Sequence, residues 1–528
     1  MGGLSTRRID VPLACVLLGA AVLRGCGIGY GLPHTLTRPD EEAVHAVALR
    51  VFGGNFDPGF FDWPSLFMYA VAAAFVLYFN IGRIAGWFGR EAAFVAAATT
   101  NPAPLFLVAR GISAAAGTAT VATVFRIAGH LFDRPTAIVA AAFLAVAALH
   151  VRESHFALTD VAATWLLTLS FLFTIRYARA GRRRDALFSA LWAGLAISTK
   201  YNAGMVALPA LWAIVSRERG GAAVRAVLMY GLVMIAAFAA GTPYAFLDAR
   251  QFAASLAAVS AHLRAGHIIV GGYAWRIHLT SSLRYGVGLP MLLAGIAGFA
   301  LYVVRDRRAG LLFVLFPVAY FALIGAGQTA FARYILPTIP FLCIAAAHTT
   351  VECAGAVARM LERPGARPVL TWALAVLVAA PALWSSIATD RLLSLTDSRL
   401  QAAGWIRDHF PRGASMFQTG SIYGHVQMQR SGFIEDPAYA RVPADAPRPP
   451  DVIVVLRCPL AYCDTPPDLE QRLLPYRRLQ TFTAVNVDDP ALVYDREDAF
   501  FVPLSGFGAV TRPGPNVLIY ERLDSGRD

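Results

Sequence analysis

From residue 10 to about residue 388, this 528-residue chain keeps returning to apolar stretches long enough to cross a bilayer, which takes about 20 residues each. No other feature constrains the fold as strongly. In hydrocarbon every backbone N–H and C=O must find a partner within the protein, and helices satisfy that demand segment by segment. Charged residues make up only 15% of the chain, against about 25% in a soluble domain. The expected class is therefore a polytopic α-helical membrane protein.

A net charge of +12 in a soluble chain would suggest a nucleic-acid partner. Here placement matters more than the sum, and no nucleic acid is expected. Arg7-Arg8, Arg176 to Arg184, Arg217 to Arg225, Arg305 to Arg308 and Arg359 to Arg367 fill short gaps between apolar spans, as cytoplasmic loops do under the positive-inside rule. Placing those clusters inside predicts a first span over 10–29, then spans over 111–131, 135–151, 160–178, 185–200, 203–216, 224–242, 285–304, 309–326, 333–353 and 369–388. That is about eleven, or up to thirteen if 65–109 forms an extra hairpin rather than lying along the interface. The opening MGGLSTRRID and its apolar run resemble a signal peptide, but no small-residue cleavage site follows, so a retained first span is expected. External loops are then expected at 30–110 and 243–285, with the C-terminal part outside.

Composition changes near residue 391, which divides the chain into an expected membrane domain (1–390) and a small external α/β domain (391–528). SRLQAAGWIRDHF reads as a helix stopped by Pro411. DVIVVL, RLQTFTAV and NVLIYERL read as strands, with Pro and Asp clustered between them in PADAPRPPD. Cys458 and Cys463, in CPLAYC, suit a local disulfide if this domain faces an oxidising compartment.

Sorted by side, the polar residues gather on the outer face. One loop carries Asp40, Glu41, Glu42 and His45; the next carries His150, Arg152, Glu153, His155 and Asp160. Arg110, Lys200, and Arg333 beside Tyr334 stand at outer ends of spans, and 243–285 adds His278 and Arg284. Lys200 is the only lysine in the chain. That fits a genome favouring Arg codons, and it equally fits a position that needs an ammonium. Each residue also has a structural reading: Thr37 and Thr159 can open helices, acids in a first turn suit the helix dipole, and interfacial cations snorkel. Ionisable groups near hydrocarbon are costly, however, and tend to be functional. Acids and bases on one face suit a lipid-phosphate sugar: cations for a phosphate that gains charge as its bond to the sugar breaks, and a carboxylate to take a hydroxyl proton. Two carboxylates can also hold a divalent cation, Mg²⁺ or Mn²⁺.

At these residues the sequence resembles the GT-C membrane glycosyltransferases, specifically glycosyltransferase family 39, which includes protein O-mannosyltransferases and, more distantly, lipid A aminoarabinose transferases. PDEEAVHAVALRVFGGNFDPGFFDWPSL, RESHFALTDVAATWLL, STKYNAGMVALPAL, GTPYAFLD and ARYILPTIPFL carry the likeness, and TDSRLQAAGWI and TRPGPNVLIYER extend it into the tail. The resemblance implies a polyprenyl-phosphate-sugar donor and inversion at C1. It implies Asp40 as general base within the Asp40-Glu41 motif, and Asp160 as support for the acceptor or for a metal held with Asp40. It also implies a donor phosphate held by Arg110, Lys200, Arg333 and Tyr334, with His45, His155, His278 and Arg284 as further site candidates. The acceptor is a lipid, glycan or protein hydroxyl on the periplasmic side of a bacterial inner membrane. The rival class is a transporter or lipid flippase, which should show internal repeats and polar, broken spans at the bilayer midplane; no repeat is visible here.

Overall fold

The computed structural model describes residues 10–268, 273–428, 434–435 and 449–523. Arg7-Arg8 and residues 443–448 of the Pro- and Asp-rich stretch lie outside the described residues. The chain divides into two compact units. Met1–Gly25, Ala43–Val95 and Leu105–Ile387 form the first; Cys26–Glu42, Ala96–Pro104 and Ala388–Asp528 form the second.

The first unit is helical and the chain is a multi-pass membrane protein. Among the described residues seven helical runs are long and apolar enough to cross a bilayer: Leu66–Ile84, Ala103–Leu131, Thr159–Ala180, Gly220–Gly241, Arg307–Gly325, Ala332–Met360 and Pro364–His409. An eighth is a pair, Ala274–Val287 and Leu289–Arg305, bent by 113°. Gly288 sits at that bend with φ +80°, and a Cβ there would lie 3.2 Å from that of Pro381, so the pivot requires glycine. The count is smaller than the sequence predicts because several expected spans are short helices: Val11–Gly25, Arg134–Ala145, Arg183–Ile197 and Ala207–Arg217. Arg134–Ala145 is short but almost wholly enclosed by protein, so its apolar run reports a buried core helix as much as a lipid-facing one. The uncertain 65–109 segment holds one helix of spanning length, Leu66–Ile84, then the ten-residue Glu91–Thr100. The lipid-facing side is plain on Gly220–Gly241, where Val224, Leu228, Leu232 and Ile235 recur at helical spacing and are each more than half exposed.

The second unit is built on a five-stranded sheet of β1 (Ser415–Gln418), β2 (Ile434–Glu435), β3 (Val452–Arg457), β4 (Tyr476–Phe482) and β5 (Asn516–Arg522), in the order β2-β1-β3-β5-β4. β1 runs parallel to β2 and β3; β5 is antiparallel to β3 and β4. Val452, Val454 and Leu456 pack with Val517, Ile519 and the helix Ser398–His409, while Ile453 and Val455 pack with Phe417 and Leu518 on the other face. Within DVIVVL, residues 452–456 are all apolar because both faces of β3 are covered. The tail motifs meet here: Ser398 Oγ donates to the Pro515 carbonyl at 2.6 Å, and Asn516 Oδ1 accepts from the Ala484 and Val485 amides. Cys458 and Cys463 form the expected disulfide.

Candidate functional site

In the helical unit, three segments distant in sequence meet around Lys200. Asp160 stands in the first turn of Thr159–Ala180, where the dipole favours a carboxylate. Lys200 follows the helix Arg183–Ile197, its amide bonded to the Ala196 carbonyl, and its ammonium is ion-paired with Asp160 Oδ1. The pair is nearly enclosed, with side chains 12% and 5% exposed. The same ammonium stands 4.8 Å from the centre of the Tyr334 ring, within cation–π range. Tyr334 belongs to the tight helical turn Ala332–Thr338, which holds Pro337 and leads into the helix Ile339–Met360 with Pro340 in its first turn. Tyr320 anchors that turn by donating to the Tyr334 carbonyl at 3.0 Å. Arg333, 7% exposed, lies 4.4 Å from the Phe331 ring and 6.0 Å from Tyr334.

A second group lies in the same unit. Arg110, 1% exposed, stands 5.6 Å from the Phe156 ring and 6.0 Å from Phe106, and His45 stacks on Phe106 at 4.6 Å. His150, Arg152, Glu153 and His155 are all buried. Arg152 Nε lies 3.4 Å from Glu153 Oε1, and His155 Nδ1 donates to the Val151 carbonyl at 2.9 Å. Sequence reasoning missed the organiser of this segment, Arg24, which donates to the carbonyls of Leu144 and Ala145 and to His150 Nδ1. His278 is buried with Nδ1 3.2 Å from Ser282 Oγ, in a wide helical turn packed on Ala332–Thr338. Arg284 lies over the neighbouring Tyr285 ring at 5.4 Å, in a turn packed on Ala148–Glu153.

The acidic triplet belongs to the sheet-containing unit. Asp40 takes φ +75°, a left-handed conformation that Asp tolerates better than most residues. Glu41 is 1% exposed and opens the helix Glu41–Phe52. Glu42 Oε1 accepts from the Tyr423 hydroxyl at 3.0 Å, and burial pushes its carboxyl up to about 7, with Asp40 and Glu41 adding to the rise. Nearby, Arg38 donates to both oxygens of Asp498 at 3.0 and 2.9 Å. Arg399 grips Asp397 through Nε and a terminal nitrogen at 2.8 and 2.6 Å, and Tyr30 donates to the same carboxylate at 3.2 Å. The sequence signal for this last cluster is the TDSR motif, whose Asp397 also caps its helix.

Among the described residues no three His, Cys, Asp or Glu side chains are grouped to hold a metal, and the Asp160 carboxylate is engaged by Lys200. The Lys200 centre thus gathers two nearly enclosed cations beside aromatic rings, one of them paired with a carboxylate.

The helical unit with its small sheet domain has the fold of the GT-C membrane glycosyltransferases, and residues 106–245, which include Arg110, Asp160 and Lys200, match the family described as dolichyl-phosphate-mannose-protein mannosyltransferase. The particular likeness is to ArnT from Cupriavidus metallidurans bound to undecaprenyl phosphate, with a TM-score of 0.56 and 15% identity over 97% of each chain. The apo state of that protein gives 0.55 and 13% over 98% of each chain. The apo oligosaccharyltransferase of Archaeoglobus fulgidus gives 0.52 and 13%, over 82% of this chain and 66% of that one. Among curated proteins none matches the sequence.

Proposed function

We propose that this protein is an inverting glycosyltransferase. It moves a sugar from a polyprenyl-phosphate donor to a lipid, glycan or protein hydroxyl at the periplasmic face of a bacterial inner membrane. The observation that carries this reading is the Lys200 centre, where an enclosed ammonium is aimed by Asp160 over Tyr334 with Arg333 alongside. In the reaction the acceptor oxygen bonds to C1 and the C1–O bond to phosphate breaks, leaving its electron pair on the phosphate. Lys200, Arg333 and Arg110 stabilise that growing charge, more strongly in a poorly hydrated site than in water. The acceptor proton passes to a carboxylate of the acidic triplet, Asp40 in the role of base. No step is routed through a metal. The binding of undecaprenyl phosphate to ArnT supports a donor of this class.

The test is lipid and glycan profiling of a deletion strain. We expect an accumulated polyprenyl-phosphate sugar and the loss of one glycan decoration, both reversed by the wild-type protein and not by an inserted Asp40→Asn variant. Full restoration by Asp40→Asn removes Asp40 as base. A lipid-linked sugar that builds up only on the cytoplasmic side marks a flippase, and unchanged lipid pools overturn the enzymatic reading altogether.

A further inference from the structure

Tyr423 reaches Glu42 from a loop built with unusual care. The loop leaves the carboxyl end of β1, beside the parallel strand β3, the edge at which open sheets present functional residues. Thr419 bonds to β3 through both amide and hydroxyl, to the Val454 carbonyl and the Leu456 amide. Gly420 has φ +78°, and a Cβ there would stand 2.6 Å from the Tyr462 carbonyl. That carbonyl accepts from the Ser421 amide, and Tyr462 lies inside the Cys458–Cys463 disulfide loop. Arg399 donates to the Tyr423 carbonyl, and Gln418 closes the loop with two hydrogen bonds to Val426. The outcome is a phenol held still, donating at 3.0 Å to one oxygen of Glu42. The other oxygen, Oε2, is buried and accepts no hydrogen bond among the described residues.

We propose that Tyr423 is a positioning residue of the transfer reaction: it holds the Glu42 carboxylate and fixes the acidic turn that begins at Asp40. This rests on the proposed transfer function for its consequence, while the Tyr423–Glu42 pair stands on geometry alone. The groups facing Glu42 are Tyr423 and the two acids of its own segment, Asp40 and Glu41. Asp498, on the Tyr423 side, is matched by Arg38. Burial pushes the Tyr423 phenol up, so it remains a donor throughout the working range. Its hydrogen bond favours the charged form of Glu42 and offsets part of the burial that raises it. Removing the phenol therefore moves Glu42 further up.

The experiment uses the full chain in detergent. Infrared difference spectra across a pH series follow the protonated carboxyl band that Glu42→Gln removes. We expect the midpoint to lie at about 7 in the wild type and to rise by about one unit in Tyr423→Phe, a tenfold change in the ionisation equilibrium. The acid limb of complementation in the deletion strain should shift the same way, with restoration retained at alkaline pH. Tyr423→Leu, which also removes the phenol while leaving the titrating carboxyl in place, serves if Tyr423→Phe does not fold, and should raise the midpoint in the same direction. An unchanged midpoint in the variant that folds overturns the pairing. A shifted midpoint in a protein whose wild type transfers no sugar would leave the pairing intact and sink the transfer reading instead.

Discussion

Asp160 holds the ammonium of Lys200, forty residues further along the chain, in an ion pair that is almost sealed from solvent. Burying two charges is costly, and removing only one is worse, because the survivor keeps its desolvation cost and loses its partner. Lys200→Met should destabilise the protein by about 3–5 kcal/mol and abolish transfer. The double variant Asp160→Asn/Lys200→Met should recover most of that stability while staying inactive. Denaturant unfolding in detergent, read as a double-mutant cycle, checks this. Simple additivity of the two single losses would show that the pair is not coupled.

Arg24 supports the buried segment that leads to Asp160. The last carbonyls of a helix have no partner within it, and the Arg24 fork supplies one for Leu144 and Ala145, the final residues of Arg134–Ala145, while also holding His150. Leu144 keeps the Ala147 amide at 3.3 Å, but Ala145 and His150 lose the Arg24 donor. Each buried acceptor left without a donor costs about 1–3 kcal/mol, so Arg24→Met should destabilise by roughly 3 kcal/mol. Arg24→Lys should recover only part of it, since an ammonium lacks the planar fork. Equal stability of Lys and wild type in the same unfolding assay would count against the fork as the cause.

The Cys458–Cys463 bridge closes a short loop. By loop-closure entropy such a loop is worth about 2 kcal/mol. Replacing both cysteines by serine should therefore loosen the sheet domain without unfolding it. Limited proteolysis of the full chain should show faster cleavage near residues 419–428 and 458–463 in the double serine variant. Identical protection with and without the bridge would contradict the expectation.

What the sequence made legible follows from the range of each signal. Apolar runs report burial, so the helical membrane class and the strands in DVIVVL, RLQTFTAV and NVLIYERL are readable. The same runs do not separate lipid from protein surroundings, which is why the enclosed helix Arg134–Ala145 reads as a span. Asp160, Lys200 and Tyr334 are individually conspicuous, as acid, sole lysine and neighbour of an interfacial arginine, but no periodicity announces that residues 160, 200 and 334 converge. Arg24 escaped notice because an arginine ending an apolar run looks like an anchor at the membrane surface. Tyr423 carries little local mark: beyond the nearby Gly420, its place depends on Arg399 and a disulfide loop, each in a different part of the chain.

The sheet-containing unit draws on residues 26–42 as well as on the last 141 positions, and Tyr30 and Arg38 from the early stretch bond to Asp397 and Asp498 from the late one. Tyr30 and Asp397 lie 367 residues apart in sequence, so a ribosome makes the early stretch long before the late one. Until then that stretch lacks Asp397 and Asp498, so the domain can close only after the late stretch is made. Quality control acting on a chain stalled before residue 397 would therefore meet an early stretch that has not closed, far in sequence from the break.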